Sequence, residues 1–179
     1  MTRRTACSST STSTLLLLAA ASLSCVGLVG GAPPDFVLSA PPREGFESVA
    51  DAMQPSCGTL DCHGQPGRNL RLYGGRGLRL DAANNSADGT TEPPEYEANY
   101  WSVVALEPEL LATVTNEGGQ NPERLILIRK GRGTTRHKGG ALMQPNDNLD
   151  QCIVEWLKGN ILVDRCFAAS RIGVDTPTP

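Results

Sequence analysis

Between Glu44 and Met53 the apolar residues Phe46, Val49, Ala50 and Met53 fall at i, i+3, i+4 and i+7. One buried helical face has that period, so the pattern predicts an amphipathic helix ending just before Cys57. From Gly64 to Pro94 the pattern gives way to Gly, Asn, Asp and Pro, which predicts mostly loop, with short extended pieces at Asn69–Tyr73 and Gly77–Leu80. Helical spacing returns from Glu95 to Leu106, with Tyr96, Tyr100, Val103 and Val104 as inward positions, and Pro108 interrupts or restarts it. Asn121-Pro122-Glu123 reads as an N-cap, a first-turn proline and a first-turn acid. They open a helix through Leu125, Ile126 and Ile128 to Lys130, which Gly131 and Gly133 stop. A polar loop, Thr134 to Pro145, comes next. The last clear helix spans Asn148 to Lys158, where Leu149, Cys152, Ile153 and Trp156 form one stripe and Gly159 is the stop. The pattern predicts a mainly α domain with long Gly/Pro-rich loops.

The ends of the chain read differently. Arg3 and Arg4 precede Ser/Thr residues and a short apolar run, Leu15 to Ala21, with no acid before Asp35, which is the layout of an export signal. Residues 1–32 are therefore read as a signal peptide cleaved after Ala32, or as a lipoprotein leader with Cys25 as the lipidated residue. An uncleaved anchor is the third option. Residues 33–43 read as a Pro-rich linker, 44–167 as the folded domain and 168–179 as a flexible tail. The working part is expected outside the cytoplasm, secreted or periplasmic, with a membrane tether if lipid is attached.

Losing the two leader arginines takes the formal charge from −3 to −5, which argues against a nucleic-acid partner. Aromatic residues make up 4% of the chain while Gly and Pro together number 32. A core so poor in large side chains benefits from a staple or a buried prosthetic group.

Export also governs the cysteines, because thiols outside the cytoplasm pair, bind a cofactor or oxidise. In Cys57-Gly58-Thr59-Leu60-Asp61-Cys62-His63, two thiols are followed at once by an imidazole, the arrangement that attaches haem c covalently and ligates its iron. Here four residues separate the thiols, where the common form has two. Other chemistries compete for these residues; a cysteine-nucleophile hydrolase would put its His far from its Cys in sequence. A simple Cys57–Cys62 disulfide would leave His63 at the surface. A zinc site would use Cys57, Cys62, His63 and His137. A thiol redox enzyme would need closer thiols and a depressed thiol pKa. If haem occupies the first pair, Cys152 and Cys166 are left as a disulfide pair across the end of the last helix.

The order of elements resembles small c-type cytochrome domains. The likeness is to a branch found in secreted or membrane-bound bacterial proteins, with a proline-led helix, an H-x-G-G loop and a Trp-bearing terminal helix. Here those are Asn121-Pro122-Glu123-Arg124-Leu125, His137-Lys138-Gly139-Gly140 and Trp156-Leu157-Lys158-Gly159. The resemblance covers about residues 44–160 and implies a cytochrome c-like helical fold. It implies haem c held by Cys57 and Cys62, His63 as proximal iron ligand, and one-electron exchange with redox partner proteins. The second axial donor is His137 or Met143. His137 is preferred because it holds the H-x-G-G position and glycines beside it let backbone approach a flat ring; Met143 would raise the potential.

Trp156 and Leu149 are expected near the ring, and Arg71, Arg76 and Arg79 are candidate partners of the propionates. Arg129, Lys130, Arg132, Arg136 and Lys138 form a basic patch that either steers an acidic partner or sits in water. No acid, base and nucleophile constellation is legible, so the expected role is a carrier rather than an enzyme. The rival reading is a haem-free, disulfide-stapled interaction or structural domain of the cell envelope.

Overall fold

The apolar stripe on Phe46, Val49, Ala50 and Met53 becomes the centre of the molecule, each of the four being at most 1% exposed. The computed structural model describes residues 39–84 and 89–172, all of them within one compact unit, Val37–Pro179. The described residues form helices α1 (Phe46–Cys57), α2 (Pro93–Val104), α3 (Pro108–Asn116), α4 (Ile126–Gly131), α5 (Asn148–Leu157) and α6 (Val163–Ser170). Short 3₁₀ turns lie at Ala82–Asn84 and Pro122–Arg124. The architecture is mainly helical. Among the described residues the β pairing is one isolated bridge, Tyr73 with Leu78, so the two expected extended pieces do not become strands.

Helix α1 packs on α2, α5 and α6, and α5 packs on α6. Trp156 is fully buried where these helices meet, its ring 5.0 Å from that of Phe46. Burying a side chain of the Val/Leu/Ile/Phe/Met class contributes roughly 1.5–3 kcal/mol, so the stripes of α1 and α5 dominate the stability. The indole Nε1 of Trp156 donates to the Pro42 carbonyl at 2.7 Å, and Tyr100 Oη donates to Pro41 at 2.9 Å. The end of the expected linker is thus fastened to the core. Its earlier part, the leader with Cys25, and residues 173–179 of the expected tail lie outside the described residues.

Three boundaries differ from expectation, each for a physical reason. Helix α1 continues past Met53 through Pro55 to Cys57, and the Gly58 N–H closes it on Gln54 O. Helix α2 starts at Pro93 because Glu92 and Glu95 form a reciprocal capping box around its first turn. Pro108 does restart the chain, opening α3. Asn121 stands at the N-cap position ahead of Pro122 and Glu123 as expected, but of a 3₁₀ turn rather than of α4. It sits at φ 49° with no side-chain capping bond, so Pro122–Arg124 is only a 3₁₀ turn and α4 begins at Ile126, whose N–H is bound by the Glu107 carboxylate.

The tail was expected to be loose after Phe167, yet α6 runs on to Ser170, burying Cys166 and Ala169. A disulfide joins Cys166 to Cys152 of α5. No helix among the described residues is long and apolar enough to cross a membrane.

Candidate functional site

Cys57 is the last residue of α1, and the chain then folds back on it. His63 N donates to Cys57 O at 2.8 Å, while Cys62 N and Gly64 N both donate to Thr59 O. The four residues between the thiols are therefore taken up in a closed turn, with Leu60 thrown outward to 61% exposure. Gly64 is required here. A Cβ on it would lie 2.1 Å from Gly58 O and 2.9 Å from Gly77 Cα, both backbone atoms. Three strands of chain meet at that point and fix where His63 can stand.

The second imidazole comes from the loop after α4. That loop is closed at its base, where Leu142 N and Met143 N both donate to Gly131 O. Asp150 of α5 holds both ends of it. Its carboxylate accepts from Arg132 Nε at 2.7 Å and Nη2 at 3.0 Å, and from Asn146 N at 2.8 Å. Asp147, the N-cap of α5, adds a bond from Gln144 N at 2.6 Å. His137 lies at the tip of the span so fastened.

The structure brings His63 and His137 together across a cleft, their ring centroids 6.0 Å apart and their planes 18° from parallel. His63 Nδ1 is 3.0 Å from Leu70 O, and His137 Nδ1 is 3.2 Å from Gly140 O. A carbonyl only accepts, so each Nδ1 is the donor, and each neutral ring keeps its lone pair at Nε2. That is how second-shell carbonyls prepare histidines for a metal. Burial lowers the His63 pKa and the Leu70 hydrogen bond opposes the shift; the charges of His137, Arg68 and Lys130 lower it further, favouring the neutral imidazole.

The cleft has a volume of about 820 Å³, and Cys57, Cys62, His63 and His137 all line it. Leu70, Leu106, Ile126, Leu127 and Leu142 supply its apolar wall. Both cysteines are free thiols, so the simple Cys57–Cys62 disulfide is not formed in this structure. Burial, reinforced by Cys62, pushes the Cys57 thiol up to about 12, the opposite of the depressed pKa a thiol redox enzyme uses. Among the described residues no three or more His, Cys, Asp or Glu side chains are grouped to hold a metal ion, which leaves the four-ligand zinc reading without a cage.

Several expected neighbours lie elsewhere. Met143 is 2% exposed, packs against Gly131 beneath the loop, and does not line the cleft. Trp156 and Leu149 belong to the helical core, away from the cleft wall. None of Arg71, Arg76 and Arg79 reaches the cleft: Arg71 donates to Tyr73 Oη, Arg76 is exposed, and Arg79 is held by Glu95. Arg68, Lys130, Arg136 and Lys138 stand there instead.

Sequence reasoning missed Arg68 and the wall formed by Ile126 and Leu127. A signal for the wall was present. Ile126-Leu127-Ile128 is a wider apolar run than the single buried Ile128 of α4 needs, and the surplus faces the cleft. No protein-family model matches the chain, and no curated protein or solved structure does either.

Proposed function

We propose that the chain is an exported single-haem c-type cytochrome of cytochrome c-like fold, passing one electron at a time between redox partner proteins. The imidazole pair carries this reading. Both rings line one cleft with their centroids 6.0 Å apart, and each has its Nδ1 beside a backbone carbonyl, which leaves each Nε2 free for a metal. Two donors are too few to cage a bare ion, but they suit an iron whose equatorial donors belong to a macrocycle. When bound, haem c supplies the one-electron chemistry, and the protein supplies ligands, burial and orientation.

The chain's own residues divide that work. Cys57 and Cys62 would tether the group, and His63 and His137 would ligate its metal. The Leu70 and Gly140 carbonyls hold the two rings in the required tautomer. Leu70, Leu106, Ile126, Leu127 and Leu142 exclude water, in a cleft within the roughly 300–1,000 Å³ range of small-molecule and cofactor sites. Met143, buried outside the cleft, is the weaker candidate for second ligand. The Cys152–Cys166 disulfide agrees with an oxidising compartment and hence with export.

Export of the full chain in a host that matures c-type cytochromes tests the reading. The expected product is coloured, keeps its pigment through denaturing electrophoresis, and has an intact mass raised by one macrocycle. His137→Ala should change the visible spectrum, whereas Met143→Leu should not. Colourless material with the mass of polypeptide alone and all four mature cysteines in two disulfides would overturn it and leave the envelope-domain rival standing.

A further inference from the structure

We propose that the outer face of α6 seats on a lipid surface, beside the point where the N-terminal segment enters the fold. The tether in this inference follows from the export reading of the leader, whereas haem plays no part in it. Helix α6 also lies beyond residue 160, where the cytochrome likeness ends. Among the described residues seven large apolar side chains are exposed, and four of them, Leu162, Val163, Phe167 and Ile172, belong to α6 and its flanks. Val163 and Phe167 stand one turn apart on one side of the helix. A surface helix ordinarily turns its large apolar residues inward. Here the buried residues are the small Cys166 and Ala169, the disulfide to Cys152 holds the helix down, and the large residues are left outside.

The N-terminal segment reaches the fold at the start of this helix. Tyr100 Oη and Trp156 Nε1 hold the carbonyls of Pro41 and Pro42. A Cβ on Gly45 would lie 2.9 Å from Ile161 Cγ1, so the chain here lies against the residue just ahead of Leu162. Pro41 is sixteen residues on from Cys25, a stretch that spans at most about 55 Å. A lipid on Cys25 therefore keeps α6 within reach of the bilayer, at an effective concentration that lets a weak contact hold.

Charge and size favour lipid over a second copy of the chain. Between Leu162 and Ile172 the charged residues are Asp164, Arg165 and Arg171, a local net of +1 on a chain whose total is −3. The Arg171 guanidinium lies over the Phe167 ring, 5.9 Å from its centroid, so cation and apolar ring are presented together. That combination suits the boundary between acyl chains and anionic headgroups, where apolar side chains sink and cations meet phosphate. A stable protein interface takes roughly 800 Å² and 20–30 residues from each partner, whereas this face is a helix of eight residues and its flanks. No residue lining the His63/His137 cleft belongs to α6, so the two surfaces are separate.

The test uses the exported full chain carrying Cys25→Ser, which removes the acceptor for lipid, with vesicles of phosphatidylglycerol and phosphatidylethanolamine in equal parts. Hydroxyl-radical footprinting read by mass spectrometry should find Val163 and Phe167 reactive in solution and protected severalfold once vesicles are added. Leu60, comparably exposed in the turn after α1, should keep its reactivity. Val163→Ser with Phe167→Ser should retain the far-ultraviolet circular dichroism of the parent and weaken vesicle binding about tenfold or more, since two large apolar side chains leave the contact. Phe167 unreactive before vesicles are added, protection of Leu60 equal to that of Phe167, no protection at all, or unchanged binding by the double variant would overturn the proposal. So would dimers of the parent that the double variant abolishes, which would give the face to a second copy. A colourless chain with the expected protection sustains this inference and fails the haem reading, and a coloured chain without it does the reverse.

Discussion

Replacing Asp150 by Asn should loosen the loop that carries His137 more than it loosens the rest of the molecule. Asp150 is 3% exposed and its carboxylate takes three hydrogen bonds, two from Arg132 and one from Asn146 N. The amide of Asn keeps one acceptor but turns an NH₂ group toward a guanidinium that can only donate. Arg132, whose side chain is 16% exposed, is then left charged and unpaired at the base of the loop. Removing one partner of a buried pair costs about 3–5 kcal/mol, and the partial solvent contact of Arg132 places this case near 3. Pairing Asp150→Leu with Arg132→Met removes both charges and should cost less than Asp150→Asn alone.

Urea unfolding followed by far-ultraviolet circular dichroism gives the global loss, and native-state amide exchange locates it. Leu142 N–H and Met143 N–H, both bonded to Gly131 O, should lose more protection than the global change accounts for. Amides inside α1 should track the global change. A loss below about 1 kcal/mol, or protection falling evenly across the chain, would refute the idea that Asp150 clamps the His137 loop, since breaking any buried pair is expected to cost more.

Three further outcomes are expected. Glu95, 2% exposed, accepts from Arg79 and from the Leu80 and Glu92 amides; burial alone would raise its pKa, but these partners win and hold it below the ordinary carboxylate value. Its contribution is therefore fully present above about pH 4.5 and is lost as pH falls through the lowered folded-state value. Glu95→Gln should destabilise by about 3 kcal/mol at pH 7 and flatten the acid limb of the stability profile; an unchanged acid limb would contradict this. Gly64→Ala should cost about 3 kcal/mol, because its methyl meets backbone. Gly67→Ala, in open space at φ 81°, should cost only about 1 kcal/mol of backbone strain. Equal denaturation midpoints for the two glycine variants would refute the close approach. Cys152→Ser with Cys166→Ser opens a link between residues 14 apart and should cost about 3 kcal/mol, read as a lowered melting temperature that reducing agent reproduces in the parent chain.

What the sequence disclosed follows the range of the interactions involved. The stripes of α1 and α5 were legible because each helix buries one continuous face, so period alone marks it. Helix α6 was not, for its large apolar residues Val163 and Phe167 are 60% and 63% exposed while the small Cys166 and Ala169 point inward. Its pattern is inverted, and only contact with α1 and α5 makes it a helix. Asn121 carried a sound local capping signature that the left-handed backbone beside Pro122 overrode.

The same distinction divides the site. Cys57, Cys62 and His63 sit in one short turn and announce themselves as a unit. Arg79 looked free for an anionic ligand until a carboxylate sixteen residues away claimed it, and Arg68 looked idle until the fold placed it on the cleft. Asp150 reads locally as nothing more than a first-turn acid of α5, yet it ties both ends of the loop that presents His137. Each imidazole is therefore readable from its own neighbourhood, while their facing separation is a product of long-range pairing. Long-range pairs are where substitutions outside the motif should act on the site, and Asp150 is the residue at which that reasoning is most exposed.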